Sequence, residues 1–151
     1  MGEVIMKHQI WLKGENTPYS DPKLLTHPQI HNEDGPAIII HDDDGKLQSV
    51  IYMKNGKLHN PDGPAMVRYN KGKPVNARWI VDSVLHNTNG PAIIDYDADG
   101  KVRNYEYWIL GKHIENGSVY DWAKNIGVDP AQMSSVAEHL FVMNFSPELM
   151  R

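Results

Sequence analysis

The chain has 151 residues, 40% of them hydrophobic, with 15 basic against 19 acidic side chains and a net charge of -4, which suits one domain with a modest core. It has no cysteine and no run of Lys and Arg, so disulfides, thiolate metal sites, cysteine nucleophiles and a nucleic-acid groove are all excluded from expectation. No apolar stretch approaches the ~20 residues of a membrane span, and Met1-Gly2-Glu3-Val4-Ile5-Met6-Lys7 lacks a leader's long apolar region, so a cytoplasmic protein with no membrane partner is expected.

In chain order, His8-Gln9-Ile10-Trp11-Leu12-Lys13-Gly14 (8–14) reads as a half-repeat strand, followed over 15–30 by an irregular loop with Pro18, Pro22 and Pro28. The motif His-Asn-x-x-Gly-Pro-Ala then occurs three times, at 31–37, 59–65 and 86–92, its histidines 28 and 27 positions apart. Each copy leads into a short strand pattern (Ile38-Ile39-Ile40-His41, Met66-Val67-Arg68-Tyr69, Ile93-Ile94-Asp95-Tyr96). A turn ending in Gly45, Gly72 or Gly100 follows, and then a second strand centred on 50–53, 78–81 or 107–110. Units 31–58, 59–85 and 86–112 are therefore β-hairpins of roughly 27 residues, each headed by a proline that donates nothing to the ladder. By strand parity Ala37, Ile39 and His41, with their equivalents, share the buried face, and the face of Ile38, Ile40, Arg68 and Asp95 is partly open to water.

After His113-Ile114-Glu115-Asn116-Gly117, the abandoned start of a fourth unit, the period becomes helical. Ser118 is the expected N-cap of a helix bearing Val119, Trp122, Ala123 and Ile126 and closed by Gly127. Asp129-Pro130 is expected to open a second helix with a stripe of Met133, Val136, Ala137, Leu140 and Phe141. The sheet over 1–117 and the helical cap over 118–151 are expected to fold as one unit.

The pattern of Trp or Tyr followed by His-Asn-x-x-Gly-Pro-Ala, over about Gln9 to Gly117, resembles a variant of the MORN repeat family found in bacterial and phage-encoded proteins. That resemblance implies a hairpin array that scaffolds protein contacts. The terminal helices resemble those of small phage proteins of this type, which implies an accessory role inhibiting a host enzyme or defence complex. The phospholipid binding of some members is not expected, because the Tyr-x-Gly core of typical MORN repeats is missing.

Several residues could carry chemistry. Asp95, Asp97, Asp99 and Glu106 match the spacing of a calcium loop, with Gly100 at the sharp turn. The flanking segments read as strands, so a hairpin turn is expected and a weak calcium site is the alternative. His31, His59, His86 and His113 form a ladder whose neighbours lie about 10 Å apart, too far to share a zinc ion, and their expected role is to bond backbone at the corners. Trp11, Tyr52, Trp79 and Trp108 form an aromatic ladder, either filling the core face or lying open as a binding strip. Asp42, Asp43 and Asp44 are expected to form a solvated acidic tip.

No phosphate loop, nucleophile elbow or helical zinc motif is present. The expectation is a mainly β, non-catalytic protein-recognition module with an antiparallel sheet of about seven strands, a two-helix cap and no cofactor. Tyr52, Trp79, Trp108, Asp42, Asp43 and Asp44 would contact a basic protein partner, and a homodimer could form through a sheet edge near Trp11. The alternative is a small-molecule or nucleotide-sequestering module using Arg68, Arg78 or Arg103 with Trp79 or Tyr105.

Overall fold

A computed structural model of the chain describes residues 7–131, 133 and 135–146; the expectations for Met1 to Met6 and for the side chain of Val136 lie outside the described residues. The strands in chain order are β1 (His8–Ile10), β2 (Ile38–His41), β3 (Leu47–Ile51), β4 (Met53–Lys54), β5 (Lys57–Leu58), β6 (Met66–Asn70), β7 (Lys73–Arg78), β8 (Ile80–Val81), β9 (Val84–Leu85), β10 (Ile93–Tyr96), β11 (Val102–Ile109) and β12 (Lys112–Ile114). Two helices follow, α1 (Asn116–Ile126) and α2 (Ser135–Phe145). Eight of the strands form one antiparallel sheet in the order β1-β2-β3-β6-β7-β10-β11-β12. The count exceeds the expected seven because the start of a fourth unit, read as abandoned, supplies β12.

Each unit holds two turns at opposite ends of its strands. At one end lie the glycine turns, with Gly45, Gly72 and Gly100 at φ 78–81°. At the other, the second strand leaves the main ladder and folds into the two-residue hairpins β4-β5 and β8-β9 and the β11-β12 turn. Their central residues, Asn55-Gly56, Asp82-Ser83 and Leu110-Gly111, all have positive φ, the geometry that matches the twist of a tight hairpin. At Gly56 a side chain has no room as well, since a Cβ would lie 2.3 Å from the Pro28 carbonyl oxygen.

The histidine of the preceding corner holds each of these strained turns. His31 Nδ1 accepts from Asn55 N–H at 2.9 Å, His59 Nδ1 from Asp82 N–H at 3.1 Å and His86 Nδ1 from Leu110 N–H at 3.0 Å. The second amide of each turn donates to the carbonyl just before that histidine: Gly56 to Ile30, Ser83 to Leu58 and Gly111 to Leu85. Asparagine closes the corner itself. Asn32, Asn60 and Asn87 donate through Nδ2 to Pro36, Pro64 and Pro91 carbonyls, and their Oδ1 atoms accept from the amides of Asp34, Asp62 and Asn89. The expected structural role of the histidines is thus observed for three of the four. Hydrogen-bond register places Ile114, not His113, at the fourth position; with no further turn to hold, that position is apolar and buried.

The motif alanines have a packing reason. Backbone bonds join Trp11 to Ala37, Tyr52 to Ala65 and Trp79 to Ala92, so rings and alanines alternate across one face. Ala37, Ala65 and Ala92 are fully buried among them. Beyond that row the parity expectation fails. Ile38 and Ile93, on the opposite face, are buried, whereas Ile39, Val67 and Ile94 are half-buried. The cause is diagonal covering. The 15–30 segment, which contains a 3-10 helix at Pro22–Thr26, lays Leu24 and Leu25 on the cluster of Ile10, Ile30 and Ile38 on one face. At the far end the helices cover Tyr107 and Ile109 on the other face with Val119, Met133, Ala137 and Phe141.

The helix starts differ from expectation. α1 begins at Asn116 with Glu115 at the N-cap and no capping side chain, because Asn116 Nδ2 instead donates to the Tyr105 carbonyl. Gly127 closes it at φ 72°, as expected. Asp129 accepts from Ala131 N–H and forms a turn rather than a helix start, so α2 begins later, at Ser135. Ile126 and Leu140, expected in the apolar stripes, are exposed. Neither sheet edge is wholly open: Tyr19 exchanges two backbone bonds with Ile10 of β1, and the Asn116 bond caps the Tyr105 carbonyl of β11.

Replacing His86 with alanine removes the acceptor for Leu110 N–H and should lower stability by about 1 kcal/mol, read as a shift of the urea midpoint near neutral pH. Burial pushes the His86 pKa down, against the opposing pull of Glu138. The unfolded chain therefore binds this proton more readily, and the contribution is complete above the ordinary histidine pKa and declines as the pH falls through it toward the depressed folded value. Between about pH 7 and about pH 5 the wild-type midpoint should fall further than that of His86→Ala.

Candidate functional site

Register across the sheet sorts the chemistry onto two faces. In-register pairs run Ser49-Arg68-Asn76-Asp95-Asn104 on one face and Val50-Val67-Ala77-Ile94-Tyr105 on the other. The first is polar and internally bonded: Arg78 Nε donates to Asn76 Oδ1 at 3.2 Å, and Asn76 Nδ2 to Asp95 Oδ1 at 2.6 Å. The second is apolar and carries the aromatic row.

Along that apolar face the corner loops stand up as walls between successive rings, and three equivalent clefts result. Trp11 floors the first, of about 390 Å³, between the Lys13–Asn16 turn and the 31–34 corner. Tyr52, Val50, Val67 and Tyr69 floor the second, of about 660 Å³, between the 32–35 and 59–64 corners. Trp79 and Ile94 floor the third, of about 380 Å³, between the 62–64 and 87–91 corners. Rings half-buried in this way leave one face for contact while the other packs on the sheet.

The expected binding residues divide accordingly. Tyr52 and Trp79 each floor a cleft. Trp108 does not, because the ladder position of the third unit belongs to Tyr107, one residue earlier: Asn87 N–H bonds Trp108 just as Asn32 bonds Met53 and Asn60 bonds Ile80. Trp108 faces the other way, with its ring 5.0 Å from His113 and its indole nitrogen buried without a hydrogen-bond partner. Asp42, Asp43 and Asp44 lie in the β2-β3 turn, at the far end of the strands from the corner walls. Asp42 Oδ1 is committed to the Asp44 and Lys46 amides. Asp43 pairs with Lys7, whose hydrogen bond and charge hold its carboxyl below the ordinary aspartate range.

The carboxylates that do reach the clefts are Glu33, Asp34 and Asp62, all exposed on the corner walls. They occupy the two positions that vary inside the fixed motif, and that variability was the signal available in the sequence. Lys54, 3.7 Å from Glu33, offsets part of this charge.

The calcium-loop residues form a hairpin turn. Asp97 Oδ1 accepts from Asp99 N–H at 2.9 Å and Lys101 N–H at 3.0 Å, as Asp42 does in the first unit. Asp95 and Glu106 lie in strands β10 and β11 rather than at the ends of a helix-flanked loop. Among the described residues no group of three His, Asp or Glu side chains is placed to hold a metal ion. Of the arginines named for the nucleotide alternative, Arg68 and Arg78 lie on the polar face, away from Trp79 and Tyr105 on the apolar one.

No family model matches the chain, and neither a curated protein nor a solved structure is significantly similar to it. Among the described residues no helix is long and apolar enough to cross a membrane.

Asp97→Ala should cost about 1–2 kcal/mol through the loss of two turn bonds, and calcium at about millimolar concentration should leave the wild-type melting midpoint unchanged. A calcium-dependent rise in the midpoint that disappears in Asp97→Ala would reinstate the calcium loop.

Proposed function

We propose that this chain is a non-catalytic protein-recognition module, a divergent MORN-type hairpin array, that engages its partner along the apolar sheet face. The observation that carries this reading is the row of clefts floored by Trp11, Tyr52 and Trp79. Regularly spaced aromatic floors with polar rims are the composition of interface hot spots. Glu33, Asp34 and Asp62 on the rims favour a basic partner surface. Within the reading, the resemblance to small phage proteins points to inhibition of a host enzyme or defence complex as the purpose of the contact.

The test compares capture from host lysate by the wild-type chain, by Val67→Lys on the floor of the second cleft and by Arg68→Glu, its neighbour on the polar face, with circular dichroism confirming that each variant is folded. The expected result is a partner retained by Arg68→Glu, lost by Val67→Lys and released progressively as salt rises. Loss with Arg68→Glu alone, or capture indifferent to both substitutions, would overturn the assignment of the face.

A further inference from the structure

Next to the third cleft, with which it shares Pro91 and Ile94, the apolar face holds a smaller cavity of about 260 Å³ walled by Tyr105, Tyr107 and Tyr120. Three parts of the fold meet there. β11 supplies Tyr105 and Tyr107, two residues apart and so on one side of the strand. α1 supplies Tyr120, and the segment between the helices supplies Asp129 and Pro130. The Tyr107 hydroxyl donates to the Pro130 carbonyl at 3.1 Å, which ties that segment to the ring at the ladder position. The volume lies below the roughly 300 Å³ at which pockets for drug-sized ligands begin, so it suits a small head group.

The rings stand nearly at right angles. The Tyr105 plane is inclined 83° to that of Tyr107 and 79° to that of Tyr120, with centroids 5.9 and 6.0 Å apart. A cation seated between them lies within the ~6 Å reach of Tyr105 and a neighbouring ring together. Tyr105 is half-buried and Tyr120 is 44% exposed, so the cavity opens to solvent.

Charge selects the sign of the ligand. Asp129 is the only charged side chain lining the cavity. Its Oδ1 accepts from Ala131 N–H at 2.9 Å, and among the described residues no lysine, arginine or histidine is paired with it. Its charge reaches the rings: after burial and alongside Tyr105, it raises the pKa of the Tyr107 phenol. An uncompensated carboxylate beside three aromatic rings disfavours an anion and favours a cation.

Hydration selects the kind of cation. A primary ammonium or a guanidinium carries several N–H donors that need acceptors on leaving water, and the side chains of Pro91, Ile94 and Val102 in the lining offer none. A fully methylated ammonium has no such donors and presents its charge through methyl groups, the form that aromatic rings bind best.

We infer that this cavity binds a quaternary ammonium group, carried by a trimethyllysine side chain or by a free small molecule of the choline type. The site is separate from the three clefts, and the inference does not depend on a protein partner occupying them.

The test is an NMR titration of the full chain at constant ionic strength with choline and with its uncharged isostere, in which carbon replaces the nitrogen. Choline should shift the resonances of Tyr105, Tyr120 and Asp129 to saturation, and the isostere should bind about tenfold or more weakly. Tyr120→Leu keeps an apolar wall without the ring, and Asp129→Asn keeps an acceptor for Ala131 N–H without the charge. Both positions are exposed, so both variants should stay folded by circular dichroism while choline binding weakens several-fold in each. Acetylated lysine amides identify the source. The trimethylated amide should bind more tightly than the unmodified one; a trimethylated amide that also outbinds choline assigns the cation to a polypeptide, and the reverse order assigns it to a free molecule. Equal binding of choline and its isostere, equal binding of the two lysine amides, choline binding that survives both substitutions, or no binding of either quaternary cation at about millimolar concentration would overturn the inference.

Discussion

The structure depends on one recurring hydrogen bond, from a backbone amide in a left-handed two-residue turn to the Nδ1 of a histidine 23 or 24 residues earlier. A turn with two residues at positive φ is costly for Asn55, Asp82 and Leu110, none of which is glycine. Its amides also point away from its own strands and need acceptors. The corner that opens the same unit supplies both, one from its imidazole and one from the main-chain carbonyl just before it, so each unit is tied from its first residue to its last turn. Because the donor is an amide, the acceptor must be an unprotonated ring nitrogen, which is why burial that keeps His86 neutral supports the arrangement instead of straining it. At the end of the array the logic reverses. Ile114 stands where a histidine would have nothing to hold, and it turns into the helical core.

This corner lock also determines what the sheet can present. It fixes the start of each first strand, seats an alanine beside each ring of the neighbouring second strand and raises the Glu33-Asp34 and Asp62 walls along a single face. The two covering elements then lie on opposite faces at opposite ends, Leu24 and Leu25 at one and the helices at the other. A small β-sheet needs cover to bury enough apolar surface, yet here the middle of the apolar face stays half-buried. Trp11, Tyr52 and Trp79 keep one side toward solvent, the arrangement that makes the clefts.

Much of this was legible in the sequence because it was written in a motif. The 27- and 28-residue spacing gave the hairpins, the glycine turns gave the far ends, and the histidines were rightly assigned to the backbone. What escaped was register. Trp79-Ile80 and Trp108-Ile109 invite alignment, but the β10-β11 connection is longer than the Lys71-Gly72 turn of the second unit, so Tyr107 takes the ladder position and Trp108 turns away. A one-residue slip changes the face of every side chain after it, and His113 and Ile114 exchange roles for the same reason. The helix starts escaped because local signals at Ser118 and Asp129-Pro130 were overridden by tertiary bonds, from Asn116 to β11 and from Met133 to the third corner. The cleft carboxylates were not legible because the fixed residues of the motif build the corner, whereas the variable ones, Glu33, Asp34 and Asp62, face outward and follow no pattern.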